Sequence, residues 1–472
     1  MRVFISGNFN VVHPGHIRLF KKALEFGTEL VVGVLSSKIS KNNDLFPDED
    51  RVDTVENNSL VDQVILVDRS ITEILDLVNP DIIIKGTEFE GKLNEESEYA
   101  LRNNKRIIFT DGDPSFSQSN LISSSEFDQD GLSDVARLIQ KSNITQDRVE
   151  NLFKSVEKID ILVIGDFIVD EYVNCEPIGL SQEDANVVLK PIDSAFFLGG
   201  ASIVARHARG MGAKVKFLSV LNDSSQHVKL LENILGNEGI GLEFVQDSDR
   251  EPIVKTRFRV DGTSRFRITK GSFGALSQKT EIKLLKMATS LSKNAHLIIF
   301  SDFNYGVISK ALPGSLIKSA PLRALLSCDS QISSQIGDLT KYSGIDFLSA
   351  TEFEARVSTN SKDLGLAKLI SQLRTQLNIK SCIIKLGKDG LIYETDNHKE
   401  IPRIGAMPAL NRHSIDTAGA GDSLLAAASS VLCVGANLRE ASFIGSIAAA
   451  IQVARIGNEP VTSTDIINLL KR

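Results

Sequence analysis

The sequence predicts an α/β protein of two domains, and three observations lead to this fold class. The chain has 472 residues, which is too long for one ordinary domain. Apolar, strand-like runs at 2–6 and 29–35 flank a stretch whose apolar residues recur at helical spacing. A further buried strand begins near 161, after a polar stretch. We therefore expect one domain at 1–128 and a second at 144–472.

The composition is that of a soluble globular protein, with 42% hydrophobic and 24% charged residues. A net charge of −7, with no basic run and no Trp, argues against a nucleic-acid partner. The chain opens on a strand-like run rather than a signal peptide, and its longest apolar run, at 424–436, is too short to cross a bilayer. The four cysteines lie far apart without a Cys-x-x-Cys pair, which argues against a zinc site and a disulfide framework. We expect a cytoplasmic protein that binds neither nucleic acid nor membrane.

The first domain opens with a strand–helix–strand unit, in which 15–25 form an amphipathic helix that ends at Gly27. Such a unit builds a parallel sheet whose ligand crevice lies at the carboxyl ends of the strands. The loop in this crevice reads Gly7-Asn8-Phe9-Asn10-Val11-Val12-His13-Pro14-Gly15-His16. Pro14 suits the first helical position, and Gly15 lets a phosphate approach the backbone. Two histidines three residues apart at a helix entrance are suited to face that phosphate.

This loop resembles the His-x-Gly-His motif of the cytidylyltransferase-like nucleotidyltransferases. The resemblance implies that His13 and His16 stabilise charge on the α-phosphate of a nucleotide while an incoming phosphate displaces pyrophosphate. The strand and Lys-Gly turn at 82–89 and the Ser-rich stretch at 116–122 are also similar to this family. The family commonly has Asp where this chain has Asn10. The nucleotide-binding residues so implied are Gly7, Asn8, Phe9, Gly15, Lys85, Ser117 and Ser119.

The second domain contains the stretch Asp416-Thr417-Ala418-Gly419-Ala420-Gly421-Asp422, which continues as Ser-Leu-Leu-Ala-Ala-Ala. Two glycines and two alanines allow a tight turn with exposed N–H groups, and the continuation has the composition of a helix. The amides and the helix dipole then converge on one point, which predicts an anion site. Asp422, in the first turn, can take a proton from an attacking hydroxyl while a phosphoryl group crosses the amides. The stretch therefore indicates phosphoryl transfer.

This stretch resembles the C-terminal signature of the ribokinase-like (PfkB) sugar kinases. The resemblance implies that Asp422 is the catalytic base. It implies an anion hole at Ala418, Gly419, Ala420 and Gly421, and nucleotide contacts at Lys385, Gly387 and Gly390. It implies sugar contacts at Asp166, Asp170, Gly199, Gly200, Lys255, Arg257 and Asp416, with Glu352 acting on Mg²⁺ through water. This chain has Ile203 and Ser349 where the family usually has Asn.

A basic, strand-like segment at 253–268 predicts a lid over the sugar site. Its cationic residues alternate with apolar ones and are suited to bind a phosphorylated sugar through bidentate contacts. They are Lys255, Arg257, Arg259, Arg265 and Arg267.

Together the two resemblances imply two doubly wound domains. The first is a Rossmann-like nucleotidyltransferase, and the second is a ribokinase-like α/β/α domain with a small β lid. The pairing resembles bifunctional enzymes, with the domain order reversed, that phosphorylate heptose 7-phosphate and adenylylate heptose 1-phosphate to ADP-heptose. This implies Mg²⁺, ATP as substrate, sugar phosphates and a dimer formed through the kinase lid. Two alternatives stay open: a CTP-dependent transferase fused to a kinase for another sugar or polyol phosphate, or one domain that is a non-catalytic module.

Overall fold

The structure is a computed structural model that describes most of the chain. The described residues are 1–9, 14–24, 26–40, 47–56, 58, 60–86, 95–103, 105–110, 144–180, 187–260, 263–331, 337–361, 364–397, 403–411 and 414–471. The chain divides into two compact units, Met1–Phe127 with Lys362–Lys368 and Asp128–Ser361 with Leu369–Arg472. The expected linker near 129–143 lies outside the described residues, so the domain boundaries stay a prediction.

The first unit alternates strands and helices around one parallel sheet. Its elements are β1 (Arg2–Gly7), α1 (Pro14–Ala23), β2 (Glu29–Leu35), α2 (Asp48–Glu56), β3 (Gln63–Val67), α3 (Ile71–Val78), β4 (Ile82–Gly86), α4 (Glu95–Arg102) and β5 (Arg106–Thr110). The strand order is β3-β2-β1-β4-β5, and every pairing is parallel. The order reverses between β1 and β4, so the ligand crevice is expected at the ends of these two strands. The predicted strand–helix–strand unit is confirmed.

Apolar residues on both faces of β1 explain its central place in this sheet. Val3 and Ile5 pack with Phe20 of α1 in one cluster, whereas Phe4 packs with Leu75 of α3 in another. Successive residues of a strand point to opposite faces, so a run without polar residues has to be covered by helices on both sides. This covering gives the first unit its doubly wound arrangement.

The second unit is a larger sheet enclosed by helices, with a small sheet beside it. Its first elements are α5 (Gln146–Val156), β6 (Asp160–Gly165), β7 (Phe167–Leu180), β8 (Val187–Gly200), α6 (Ala201–Gly210), β9 (Lys214–Leu221), α7 (Gln226–Asn237), β10 (Gly241–Gln246), β11 (Ile253–Val260), β12 (Thr263–Lys270) and α8 (Gln278–Ser292). The remainder are β13 (Leu297–Asp302), α9 (Ala311–Ser319), β14 (Leu325–Ser330), β15 (Phe347–Thr351), α10 (Glu352–Thr359), α11 (Leu366–Gln376), β16 (Ser381–Lys385), β17 (Leu391–Thr395), β18 (Ile404–Met407), α12 (Ala420–Cys433), α13 (Leu438–Val453) and α14 (Ser463–Leu470). No helix in the described stretches is both long enough and apolar enough to cross a membrane.

Among the described residues, nine strands form the large sheet in the order β10-β9-β6-β13-β14-β15-β16-β17-β18. The pairings from β10 to β16 are parallel, and β17 and β18 are antiparallel. Helix α12 is buried along most of its length and packs on α13 within the main core. The carboxyl ends of β14, β15 and β16 therefore lie at one edge of the sheet, where a ligand site is expected.

The small sheet has the order β12-β11-β7-β8. Strands β11 and β12 confirm the strands predicted at 253–268. Strands β7 and β8, each of 14 residues, pair antiparallel and bring Asp170 opposite Phe197. Asp170 lies inside β7, because the chain passes from β6 into β7 almost directly.

Candidate active site

A cavity of about 1000 Å³ lies in the second unit, at the carboxyl ends of β15 and β16. Its lining includes the lid residues Lys255, Arg257 and Arg267, the turn at 416–421 and Asp422. Predicted residues Asp170, Gly200, Glu352, Lys385, Gly387 and Gly390 also line it. A cavity of this size accommodates a nucleotide and a sugar phosphate together.

The predicted anion hole lies at the start of α12. Gly419 precedes the helix with φ of 77°, a backbone conformation that favours glycine. A Cβ at this position would lie 2.5 Å from Asn458 Oδ1, so a side chain also lacks room here. Helical structure begins at Ala420, which leaves the first amides of α12 without intrahelical partners. These amides and the helix dipole have the arrangement that suits an anion, and the anion hole at this turn stays a prediction.

Asp422 lies in the first turn of α12 and is 7% exposed. Burial raises the pKa of its carboxyl to about 7, and the nearby Asp329 and Asp170 act in the same direction. Lys385 and Lys255 oppose this shift. A carboxyl whose pKa lies near the working pH is suited to general-base catalysis.

Asp416 holds the anion-hole turn in place. Its Oδ1 accepts a hydrogen bond from Ala418 N at 3.0 Å. Its Oδ2 accepts one from the Tyr172 hydroxyl at 2.6 Å and one from Gly457 N at 3.1 Å. Burial raises the pKa of Asp416, but these hydrogen bonds outweigh burial and leave the pKa below its usual value. Asp416 thereby ties strand β7 and the segment after α13 to the turn, and the sugar contact predicted for it stays a prediction.

Asp166 and Asp170 have different surroundings, although the sequence predicts sugar contacts for both. The Asp166 carboxylate accepts hydrogen bonds from the backbone N–H groups of Phe303, Tyr305 and Val307 at 3.1–3.3 Å. It is absent from the described lining of the cavity. Its oxygens hold the loop after β13, and the sugar contact predicted for Asp166 stays a prediction.

Asp170 does line the cavity. Its Oδ1 pairs with Arg257 Nη2 at 3.0 Å, and its Oδ2 accepts a hydrogen bond from Asn458 Nδ2 at 2.8 Å. Gly199 has no room for a side chain because a Cβ would overlap this carboxylate. The predicted di-glycine pair thus makes room for Asp170, and Gly200 lines the cavity beside it.

The inner face of the lid is basic. Lys255 is 5% exposed and lies 5.0 Å from the ring centroid of Phe303. The guanidinium groups of Arg257 and Arg259 each lie 5.5 Å from the ring centroid of Tyr172. Burial lowers the pKa of Lys255. Buried cations that face a cavity favour an anionic ligand, because the ligand charge offsets their lost hydration.

Two residues of this site were not assigned a role by sequence reasoning. Asp329 ends the apolar run of β14, forms an ion pair with Lys385 Nζ and has a buried Oδ1 without a hydrogen-bond partner. An acid at the end of a predicted parallel strand is a usable sequence signal for this residue. Asn458 follows α13 and lines the cavity, and its Oδ1 is also buried without a partner. No local pattern identifies it, since only the tertiary fold brings it to Asp170.

Glu352, the predicted Mg²⁺ residue, begins α10 at the cavity wall and forms an ion pair with Arg356 at 2.8 Å. The described residues contain no group of three or more His, Cys, Asp or Glu side chains placed to hold a metal ion. Ser349 and Ile203, the departures from the kinase pattern, are both fully buried.

In the first unit, a polar cluster lies where β1 and β4 end. Lys85 Nζ forms an ion pair with Glu96 and a 2.9 Å hydrogen bond with Ser6 Oγ, which donates to Glu96 Oε1 at 2.7 Å. The buried Arg51 donates to Asn8 O at 2.6 Å and so holds the chain after β1. These contacts place Lys85 at the crevice expected from the strand order.

The described part of the His-x-Gly-His loop contains Phe9 and His16. Phe9 is 2% exposed, and its ring centroid lies 4.8 Å from that of His16, near the start of α1. Gly7 ends β1, and Gly15 lies in the first turn of α1. His13, Asn10, Ser117 and Ser119 lie outside the described residues.

The second unit is therefore a doubly wound α/β domain in which an acid follows a glycine-rich turn at a helix start, and basic residues of the small sheet line the same cavity. The model for pfkB family carbohydrate kinases matches residues 143–464, and the chain belongs to this family. The cytidylyltransferase-like model matches residues 4–129, ahead of the kinase domain. Both resemblances inferred from the sequence are confirmed.

Curated relatives include bacterial proteins named bifunctional protein HldE. The chain is 29% identical over 321 residues to that of Campylobacter curvus, which is 67% of this chain and 66% of the relative. It is 30% identical over 319 residues to that of Campylobacter concisus, covering 66% of this chain and 65% of the relative. Each match therefore spans slightly less than two thirds of the relative's length.

Solved structures share the fold of the kinase domain. Phosphofructokinase-2 from Escherichia coli, in complex with potassium, aligns with a TM-score of 0.55 and 18% identity over 66% of this chain and 99% of that chain. A ribokinase from Thermotoga maritima aligns with a TM-score of 0.54 and 19% identity over 66% of this chain and 100% of that chain.

Proposed function

We propose that the second domain transfers the γ-phosphoryl group of MgATP to the anomeric hydroxyl of a sugar phosphate, heptose 7-phosphate. Asp422 accepts the hydroxyl proton, the hydroxyl oxygen bonds to the γ-phosphorus, and the bond between that phosphorus and the bridging oxygen of ADP breaks. The main support is the position of Asp422, buried in the first helical turn that follows the anion-hole residues 418–421. The amides there stabilise the charge that develops on the transferred group.

The lid and Asp170 provide for the sugar phosphate. Asp170 is a carboxylate held by Arg257 and Asn458, and such a group is suited to accept hydrogen bonds from sugar hydroxyls. The lid adds Lys255 and Arg267 on the same cavity wall. A phosphate on the sugar would bring a negative charge to this basic wall, and charge-assisted contacts to Lys and Arg are stronger than those of a neutral hydroxyl. The substrate we propose therefore already carries a phosphate.

Mg²⁺ completes the proposed kinase site. The ion usually keeps several waters and is bound by one or two carboxylates and the phosphates of the nucleotide. A site without a dedicated group of three acids therefore fits it. Glu352 at the cavity wall and the unpartnered Oδ1 of Asp329 are the oxygens suited to hold its waters. When bound, the ion neutralises charge on the nucleotide phosphates.

For the first domain we propose nucleotidyl transfer from ATP to a sugar 1-phosphate. An oxygen of the sugar phosphate bonds to the α-phosphorus, and the bond to the β-phosphate breaks, giving ADP-heptose and pyrophosphate. His13 and His16 stabilise the charge on the α-phosphate, while Lys85 at the crevice supplies a further cation. The switch of strand order between β1 and β4 supports a nucleotide site at this place. If the kinase product is the bisphosphate, a separate phosphatase has to remove the 7-phosphate before nucleotidyl transfer.

We propose that the enzyme is cytoplasmic and forms a dimer through the outer face of the lid. The four cysteines are unpaired, as is usual in a reducing compartment. The outer lid face exposes large apolar side chains, with Phe196 46%, Phe266 48% and Ile268 42% exposed. Apolar residues grouped on one face mark an interaction surface. A CTP-dependent transferase acting on another polyol phosphate remains the second candidate for the first domain, favoured by the cytidylyltransferase-like match.

Mass spectrometry of the products tests this function. The purified chain is incubated with MgATP, heptose 7-phosphate and a phosphatase specific for the 7-position. We expect a mass corresponding to ADP-heptose. Because the phosphatase removes the 7-phosphate of the bisphosphate, heptose 1-phosphate without a nucleotide sugar would retain the kinase proposal and reject ATP as the nucleotide substrate of the first domain, after which CTP is tested. No phosphorylated product would contradict the proposed kinase substrate.

The kinase should lose activity in acid because its base has a raised pKa. With the pKa of Asp422 near 7, kcat/KM should fall about tenfold for each pH unit below that value, since protonated Asp422 cannot accept the substrate proton. Asp329 and Asp170 raise this pKa, and Lys385 and Lys255 lower it. Asp329→Asn should therefore move the fall in activity to lower pH. If the wild type and Asp329→Asn had the same pH profile of kcat/KM, the loss of activity in acid would be assigned to protonation of the substrate phosphates and not of Asp422.

A further inference from the structure

The Lys385 ammonium lies beside the anion-hole turn. Lys385 is the last residue of β16, and its side chain reaches Asp329 of β14 in an ion pair. A Cβ built on Gly421 would lie 3.1 Å from Lys385 Nζ. The ammonium is therefore close to the amides that begin α12, and the residue lines the same cavity.

Carboxylates around Lys385 hold it in place. Asp329 forms an ion pair with its ammonium, and Glu354 and Asp422 line the same cavity. Glu354 is fixed in turn, because its Oε2 accepts a hydrogen bond from Thr351 N at 2.6 Å in a capping box. Asp329 uses Oδ2 for Lys385, while its Oδ1 has no hydrogen-bond partner. The site thus presents a fixed cation at an anion-binding backbone.

We propose that Lys385 contacts the terminal phosphoryl group of the nucleotide, with Asp329 as the positioning residue that holds its ammonium against the anion hole. This inference rests on the proposed kinase function, and it concerns which part of the nucleotide Lys385 contacts. The transferred group has to lie between the amides at 419–421 and the base Asp422. Lys385 is adjacent to both of these features. Its charge therefore acts on the transferred phosphoryl group and not on the adenine or the ribose of the nucleotide.

The ammonium donates hydrogen bonds and no proton in this role. The substrate proton goes to Asp422, and the electron pair of the broken bond stays on the bridging oxygen of ADP. Lys385 remains protonated and neutralises part of the charge on the phosphoryl oxygens. The structural alternative is that Lys385 serves only as the counter-ion of the buried Asp329.

Nucleotide affinities distinguish these two roles without any sugar substrate. Calorimetric titration with Mg²⁺ and AMP, ADP or a non-hydrolysable ATP analogue gives the gain in affinity from each phosphate. Lys385→Met should lower the affinity for the ATP analogue by at least about tenfold, which corresponds to one charge-assisted contact. It should lower the affinity for AMP by less than about twofold. Lys380→Met is the matched control, because Lys380 directly precedes the same strand, is exposed and pairs with Asp346. It should leave all three affinities unchanged.

A double variant distinguishes loss of a nucleotide contact from loss of folding. Lys385→Met leaves Asp329 buried and unpaired, which destabilises the protein, whereas Lys385→Met with Asp329→Asn removes both charges. The double variant should keep a melting temperature near that of the wild type. It should still lose the gain in affinity that the third phosphate gives to the ATP analogue over ADP. Equal losses for AMP and the analogue, or an unchanged gain in the double variant, would overturn the role of Lys385. A wild-type protein that binds no adenine nucleotide would instead reject the proposed kinase function.

Discussion

Asp422→Asn is expected to lower kinase turnover by about 10³-fold while nucleotidyl transfer continues at the wild-type rate. Asparagine keeps the shape of the side chain but cannot accept the hydroxyl proton. The substitution removes a buried carboxyl whose pKa burial has raised, so it should not destabilise the fold. The transferase activity should persist because it belongs to the other unit. The kinase is assayed by the ADP formed from MgATP with the sugar phosphate, and the transferase by the pyrophosphate formed from MgATP with a sugar 1-phosphate.

Ser430→Ala is a matched control for this variant. Ser430 lies in the same helix and is fully buried, and its hydroxyl donates to Ala426 O at 2.7 Å. Its replacement should leave kinase turnover near the wild-type value. Turnover of Asp422→Asn within about tenfold of the wild type would remove this residue from the role of general base.

His16→Ala is expected to lower nucleotidyl transfer by about 10²-fold to 10³-fold and to leave the kinase unaffected. The imidazole near the start of α1 can donate to an α-phosphate oxygen, whereas alanine leaves the developing charge without that donor. The variant also loses the ring contact with Phe9, so its melting curve has to be compared with that of the wild type. Pyrophosphate release with a sugar 1-phosphate and MgATP measures the effect.

Lys22→Ala provides the control in the same helix, because Lys22 lies in the last turn of α1 and away from its start. It should change neither activity. If His16→Ala or Asp422→Asn removed both activities from a folded protein, the model of two independent sites would be wrong. If His16→Ala left pyrophosphate release unchanged, His16 would lose its proposed role at the α-phosphate, whereas a wild-type protein that releases no pyrophosphate would favour the non-catalytic alternative for the first domain.

Local sequence predicted those parts of the fold and site that one continuous segment forms. The turn at 416–422 has its conformation because glycine tolerates a positive φ and the alanine-rich continuation favours a helix, and both causes lie within a few residues. The strand β1 and the helix α1 were likewise predicted from periodicity alone. The lid strands at 253–268 followed from alternating residues.

The roles of Asp166, Asp170 and Asp329 required the tertiary structure. Each aspartate follows or lies in an apolar strand, so their local sequence patterns are similar. Asp166 holds backbone amides of the loop after β13, Asp170 faces the cavity, and Asp329 pairs with Lys385. Lys385 lies 56 residues from Asp329 in the chain, and Asn458 lies 288 residues from Asp170. Contacts over such separations depend on strand order, which no local pattern contains.

The sequence by itself determined the α/β class, the glycine-rich turn that leads into Asp422 and the helix that carries His16, because each depends on backbone preferences of neighbouring residues. The tertiary structure decided which acids face the cavity, that Asn458 joins Asp170, and that Lys385 lies against Gly421. Parallel strands bring their carboxyl ends together only after the sheet has assembled. The charge of each side chain is then set by burial and by neighbours distant in the chain.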